Sequence, residues 1–114
     1  MVSRIVVGAH YGWRDWLAQR VTAVIMAAYT ILFAVVLLLG APIDYGVWHD
    51  LFAHGWMRVA TLLFAVSVAW HMWIGVRDIL MDYAKPTGLR LALQVFVILV
   101  IAGYLGWTIQ ILWR

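Results

Sequence analysis

Residues 59–76 read VATLLFAVSVAWHMWIGV and decide the fold, because no acidic residue, lysine or arginine interrupts them. A helix needs roughly 20 mostly apolar residues to cross the hydrocarbon core of a bilayer, and this stretch with its flanks is long enough. A membrane-crossing backbone must satisfy its amides within a helix or in a closed barrel, and the alternation of barrel strands is missing here. The stretch therefore predicts a transmembrane helix with His71 inside it.

Two further uncharged stretches, residues 21–39 and 91–113, lie on either side of the first. Of the 114 residues, 67% are hydrophobic and 11% are charged, which is too little polar surface to cover a water-soluble globule of this size. The predicted fold class is all-α, an integral membrane protein with three transmembrane helices. We expect one membrane-anchor domain over residues 1–114, with helices near 17–40, 57–82 and 89–113, and no soluble catalytic domain.

The basic residues are distributed unevenly between the two predicted sides of the membrane. The N-terminus and the second connection share a side, which carries Arg4, Arg14, Arg20, Arg77, Lys85 and Arg90, whereas the other side carries Arg58 and Arg114. Because basic residues are enriched on the cytoplasmic side, this pattern predicts a cytoplasmic N-terminus. It also explains the net charge of +3 as a topology signal, so we expect contact with membrane lipid and none with nucleic acid.

Histidine is the strongest transition-metal ligand in the chain, because the sequence has no cysteine. His10, His49 and His54 lie in terminal or connecting segments, whereas His71 lies where a polar side chain needs a partner or a purpose. At about 100° per residue, one helix face carries Phe64, Ser67, His71, Gly75 and Asp78. On that face Gly75 would let a flat macrocycle approach and Ser67 could orient the ring. Helix packing, cofactor ligation and proton transfer all remain open for His71.

Three polar residues lie at the predicted cytoplasmic ends of the helices. The Tyr83 hydroxyl could donate a hydrogen bond to a quinone carbonyl, and the adjacent Asp82 could pass protons. An aromatic residue of the membrane interface beside a charge cluster is the alternative for this pair. Arg20, at the start of the first helix, could pair with an anionic group such as a haem propionate, or extend to lipid phosphate.

Several short segments together resemble one known family. They are HMWIG at 71–75, DYAKP at 82–86, LRL at 89–91 and RVTA at 20–23. The chain is similar in these segments, and in its length and three-helix layout, to the hydrophobic membrane anchor D subunit of bacterial succinate dehydrogenase. The segment from the histidine to the proline is fairly specific, and the rest is a similarity of pattern. The aromatic and arginine-rich N-terminal segment, 1–16, has no role that the resemblance supplies.

The resemblance implies a subunit of a four-subunit succinate:quinone oxidoreductase in the bacterial inner membrane. A flavoprotein subunit would oxidise succinate, an iron–sulfur subunit would relay electrons, and two anchor subunits would bind haem b and ubiquinone. By position, His71 matches the axial haem ligand and thus a ligand of the haem iron, the second ligand being a histidine of the sister cytochrome b anchor subunit. Tyr83 matches the ubiquinone-binding tyrosine, Asp82 its neighbour at that site, and Arg20 the arginine near a haem propionate. No activity is expected of the chain alone.

A second hypothesis belongs to a different class of protein. The chain could be a small non-catalytic membrane interaction or assembly protein in which His71 only packs helices together. A neighbouring gene for a second three-helix chain with an intramembrane histidine, beside flavoprotein and iron–sulfur genes, would favour the enzyme anchor.

Overall fold

The structure, a computed structural model, describes the backbone of residues 4–114 and the side chains of residues 12–114. This part of the chain contains no strand and folds into four helices: α1 (Arg4–Leu39), α2 (Tyr45–Ala53), α3 (Gly55–Tyr83) and α4 (Thr87–Leu112). Three segments are long and apolar enough to cross a membrane: Gly12–Leu39 of α1, all of α3 and all of α4. The predicted all-α fold with three transmembrane helices is confirmed. The side chains of Arg4 and His10 lie outside the described residues.

The long helices extend beyond the expected ranges at several ends. The described part of α1 begins at Arg4, well before the expected position 17, and α3 begins at Gly55 and ends at Tyr83. The expected ranges followed hydropathy, which marks where a helix lies in hydrocarbon. A helix can continue past that boundary where no proline interrupts it, and residues 4–16 contain none. The chain therefore has helical segments that project beyond the apolar layer.

The first connection, between α1 and α3, holds the short helix α2, which the expected helix ranges do not include. The side chain of Asp44 accepts a hydrogen bond from the backbone N–H of Val47 at 2.9 Å, which caps the N-terminus of α2. At the other end, Arg58 Nε donates to the carbonyl oxygen of Phe52 at 2.7 Å, and His54 Nδ1 lies 2.8 Å from the carbonyl oxygen of Asp50. Side chains thus satisfy backbone groups at both ends of α2.

Aromatic side chains attach α2 to the ends of the transmembrane helices. Tyr29 of α1 stacks on Phe64 of α3 with ring centroids 4.5 Å apart, and it also stacks on Phe33 at 5.7 Å. Phe33 in turn contacts Trp48 at 5.9 Å, and Trp48 contacts Phe52 at 4.9 Å. This aromatic cluster is continuous from α3 through α1 to α2, which explains how so short a helix is held in place.

α3 contacts both α1 and α4, and successive long helices run in opposite directions. Few side chains are enclosed. Met57 and Ile74 are fully buried, while large apolar residues such as Leu38 and Leu39 are 77% and 83% exposed. Apolar side chains that face outward along whole helices need lipid or protein partners to cover them. Two polar residues, Thr22 and Ser67, are nevertheless among the buried ones.

Candidate functional site

His71 meets α1 through Thr22. The His71 Nδ1 atom lies 3.0 Å from the Thr22 hydroxyl oxygen, and the two residues are separated by 49 positions in the sequence. Thr22 is only 5% exposed, so this contact is enclosed between the helices. The same hydroxyl oxygen lies 2.6 Å from the backbone carbonyl oxygen of Ala18 and 3.2 Å from that of Gln19. The imidazole ring is therefore held at one of its two nitrogens.

The second ring nitrogen of His71, Nε2, has no hydrogen-bond partner within the described residues. Among the described side chains, the only enclosed polar atom without a partner is Oε1 of Gln19. Nε2 is consequently not fully enclosed by the described side chains, and His71 as a whole is half-buried.

The space beside His71 is open. A Cβ atom built on Gly75, one turn along α3, would meet no atom within 4 Å. Cavities of about 380, 500 and 420 Å³ lie along α3, and none of these three is lined by His71. A group bound at Nε2 would therefore lie on the outer surface of the chain, where another subunit is needed to enclose it.

The sequence suggests that Ser67 could orient the imidazole ring, but the structure describes no contact between them. Ser67 is buried, with 4% of its surface exposed, but the ring contact that the structure describes is the one with Thr22. Ser67 lies four residues before His71 on α3, whereas Thr22 lies across the interface on α1. The reason is that Nδ1 of His71 is directed towards α1, so a hydroxyl on α1 reaches it.

Two more polar contacts join α1 to α3 above and below His71. Arg77 forms an ion pair with Asp15, and the Tyr29 hydroxyl lies 2.7 Å from the Thr61 hydroxyl oxygen. The three α1 residues, Asp15, Thr22 and Tyr29, are spaced seven positions apart. A seven-residue spacing keeps side chains on the same seam of two packed helices. We call these three contacts the polar seam.

Tyr83 and Asp82 lie at the end of α3, where the helix stops. Tyr83 is 80% exposed, and Asp82 is exposed as well. The backbone N–H of Ala84 donates to the carbonyl oxygen of Leu80 at 3.0 Å, and Pro86 precedes the first residue of α4. Along a continuous helix, Tyr83 lies about 18 Å from His71 at 1.5 Å per residue. The two residues thus belong to separate parts of the chain's surface.

Arg20 lies on α1 with its guanidinium over the ring of Trp16, 5.4 Å from the ring centroid. It is two residues from Thr22, which at about 100° per residue places it on nearly the opposite side of α1. The structure describes no contact between Arg20 and His71. The structure thus brings His71 and Thr22 together, whereas Arg20 and Tyr83 lie apart from them.

The described residues contain no group of three or more histidine, aspartate or glutamate side chains that could hold a metal ion. Within the described residues, a metal centre at His71 could therefore take at most one further His, Asp or Glu ligand. A haem iron, whose porphyrin fills four positions, is the kind of metal centre for which one ligand per chain is sufficient.

Comparison with known proteins agrees with this architecture. The family model of the succinate dehydrogenase/fumarate reductase transmembrane subunit matches residues 3–105. The succinate dehydrogenase hydrophobic membrane anchor subunit of Coxiella burnetii (strain RSA 493 / Nine Mile phase I) is 44% identical over 102 residues, which cover 90% of this chain and 89% of that protein. The chain belongs to the succinate dehydrogenase/fumarate reductase transmembrane subunit family.

As a member of this family, the chain is a membrane anchor subunit of an enzyme complex and a multi-pass protein of the inner membrane. The resemblance that the sequence suggested is confirmed. Sequence reasoning missed the role of Thr22, which appeared only within the segment RVTA. The seven-residue spacing of Asp15, Thr22 and Tyr29 was the available signal, since it marks one face of the first helix of the anchor.

Proposed function

We propose that this anchor supplies His71 as one of two axial ligands of a haem b that it shares with a sister cytochrome b anchor subunit. The observation that carries the proposal is the Nε2 atom of His71 in an apolar helix, which has no hydrogen-bond partner and is not fully enclosed within the described residues. Neutral imidazole is a strong ligand for haem iron, and a polar atom left bare in hydrocarbon is costly unless a partner binds it.

The surroundings of His71 support a flat ligand enclosed by a second subunit. Gly75 leaves open space beside the ring, and the three cavities described along α3 are not lined by His71. His71 would supply one ligand of the iron, and we propose that a histidine of the sister anchor subunit would supply the other, as the resemblance implies. Bound haem supplies one-electron transfer, and the part of this chain is to hold and orient the imidazole.

Tyr83 and Asp82 are proposed to form part of the ubiquinone-reduction site. Both are exposed at the end of α3, where a quinone head group can reach them. The Tyr83 phenol donates a hydrogen bond to a quinone carbonyl oxygen, and the Asp82 carboxylate relays protons to the reduced ring. Reduction of the quinone takes two electrons and two protons. The electrons come from succinate through the flavoprotein and iron–sulfur subunits, which this subunit anchors to the membrane.

Arg20 is proposed to lie near a haem propionate. Its guanidinium is exposed and rests on Trp16 rather than in an ion pair, so it can approach an anionic group on the surface of the complex. Arg14, Arg20 and Arg77 belong to the end of the helices where α1 meets the last part of α3, followed by Lys85 and Arg90. We propose that this end faces the cytoplasm and binds the soluble subunits there.

The test is the reduced-minus-oxidised spectrum of the purified complex carrying His71→Ala. We expect the low-spin haem b signal to be lost, since alanine offers no ligand. His54→Ala is the matched control, because His54 also makes a hydrogen bond through Nδ1, in its case to the backbone carbonyl oxygen of Asp50, but it lies between α2 and α3. The control should keep the wild-type spectrum. An unchanged haem b signal in the His71→Ala complex would show that the ligand is another residue.

A further inference from the structure

The Thr22 hydroxyl has a single proton and three close neighbours. Carbonyl oxygens of Ala18 and Gln19 lie at 2.6 and 3.2 Å, and His71 Nδ1 lies at 3.0 Å. Two oxygens approach to 2.6 Å only with a proton between them, and a carbonyl oxygen has no proton to give. The hydroxyl proton therefore points to Ala18, which is the ordinary backbone bond of a threonine within a helix.

With its proton used at Ala18, the Thr22 oxygen can only accept a hydrogen bond from His71. Nδ1 of His71 must then carry the ring proton. A neutral imidazole has one N–H, so Nε2 keeps its lone pair, which is the form that binds a metal. The opposite tautomer would place a proton on Nε2 and would require the hydroxyl to leave Ala18.

We propose that Thr22 is a positioning residue that fixes His71 in the tautomer and orientation that bind haem iron through Nε2. This inference rests on the proposed role of His71 as a haem ligand. Thr22 is 5% exposed, so water does not compete for the Nδ1 proton. A hydrogen bond from Nδ1–H to an acceptor makes the imidazole a stronger donor to the metal, which favours the oxidised iron and lowers the haem midpoint potential.

The experiment compares Thr22→Val, Thr22→Ala and Thr22→Ser in the purified complex. Haem content, the haem midpoint potential and the low-spin electron paramagnetic resonance signal are measured for each variant. Valine and alanine remove the acceptor, so we expect partial loss of haem, a higher midpoint potential for the haem that remains and a shifted low-spin signal. Serine keeps the hydroxyl and should restore wild-type values for all three measurements.

Thr30→Val is the matched control for the lost backbone bond. Thr30 is on the same helix, and its hydroxyl donates to the Met26 carbonyl oxygen at 2.8 Å, but it is exposed and has no described contact with α3. Thr30→Val should leave the potential and the resonance signal unchanged. If Thr22→Val disturbs assembly, Thr22→Ala, which adds no bulk, gives the deciding values.

Wild-type potential, signal and haem content in Thr22→Ala would overturn the inference, and so would a Thr22→Ser complex that behaves like the alanine variant. These results are distinguishable from failure of the proposed function. If His71→Ala retains the haem, the ligand assignment itself is wrong. If His71→Ala loses the haem while Thr22→Ala is indistinguishable from wild type, only the role of Thr22 is wrong.

Discussion

Asp15 of α1 and Arg77 of α3 form an ion pair that joins the two helices on one side of His71. Asp15 lies seven residues before Thr22, or about 10 Å along the helix at 1.5 Å per residue. On the other side, Tyr29 contacts Thr61. The contact between Thr22 and His71 is thus flanked by a polar contact in each direction, which sets the register of α1 against α3.

The ion pair is expected to contribute modestly to stability. Its side chains are 28% and 43% exposed, so solvent screens the charges, and Asp15→Asn should cost about 0.5 kcal/mol. In a double-mutant cycle, Asp15→Asn and Arg77→Gln together should lower the thermal midpoint of the complex no further than either does alone. Asp50→Asn, at a side chain that is 83% exposed, is the control. Its effect on the thermal midpoint should simply add to the effect of Arg77→Gln. Additive effects of Asp15→Asn and Arg77→Gln would contradict the coupling.

The hydroxyl of Tyr29 is expected to matter less than its ring. Tyr29→Phe removes the 2.7 Å contact with Thr61 but keeps the stacking on Phe64, and interhelical hydrogen bonds in membranes contribute about 0.6 kcal/mol on average. We expect a small decrease in the thermal midpoint of the complex for Tyr29→Phe and a much larger one for Tyr29→Ala. Tyr104→Phe is the control, since Tyr104 is 60% exposed with no described hydroxyl partner. Equal losses for phenylalanine and alanine would assign the stability to the hydroxyl instead.

A side chain at Gly75 tests whether a flat ligand lies beside His71. Within this chain a Cβ at Gly75 meets nothing within 4 Å, so Gly75→Leu should leave the helix pair intact. We expect it to lower the haem content of the purified complex, because the leucine would occupy space that the macrocycle needs. Gly103→Leu is the control, since Gly103 also faces open space, on α4. Full haem content in Gly75→Leu would place the ligand on another side of the ring.

The Tyr83 hydroxyl is expected to support quinone reduction. Loss of one neutral hydrogen bond is worth about 1 kcal/mol, so Tyr83→Phe should reduce succinate:quinone reductase activity by about fivefold to tenfold with haem content unchanged. Asp82→Asn should also lower activity, since an amide does not relay protons. Tyr45→Phe is a close control, because Tyr45 is 79% exposed against 80% for Tyr83 but belongs to α2. Wild-type turnover in Tyr83→Phe would leave Tyr83 as an interfacial aromatic residue.

Arg20→Gln tests the proposed propionate contact. A positive charge near the haem disfavours the oxidised iron, which carries one more positive charge than the reduced iron. Its removal should therefore favour the oxidised form and lower the haem midpoint potential. Arg14→Gln is the control, because the Arg14 guanidinium lies over the Trp13 ring at 5.9 Å in the same way as Arg20 lies over Trp16. Similar shifts in the two variants would indicate a general effect of surface charge rather than a specific contact.

The membrane-crossing helices could be predicted from the sequence because hydropathy reports directly on the apolar layer. Residues 59–76 identify α3, and the break at Lys85 and Pro86 identifies the start of α4. The short helix α2 could not be predicted in this way. It depends on the Asp44 cap and on the packing of Trp48 and Phe52 against α1, which is a tertiary contact.

The candidate site was predictable only in part. His71 is conspicuous because it is a histidine within an apolar run, and that can be recognised without any coordinates. The partner of its ring could not be chosen from sequence. Ser67 and Thr22 are both hydroxyl residues near the ring, and the choice depends on how α1 is rotated against α3.

The distance in sequence between Thr22 and His71 also bears on biogenesis. The two residues are 49 positions apart and meet only when α1 and α3 have been inserted and have docked side by side. The isolated α3 segment has no hydroxyl in place to orient its histidine from across a helix interface. Under the proposed role of His71, the α1–α3 pair must therefore form before the imidazole ring is held in the orientation that binds haem.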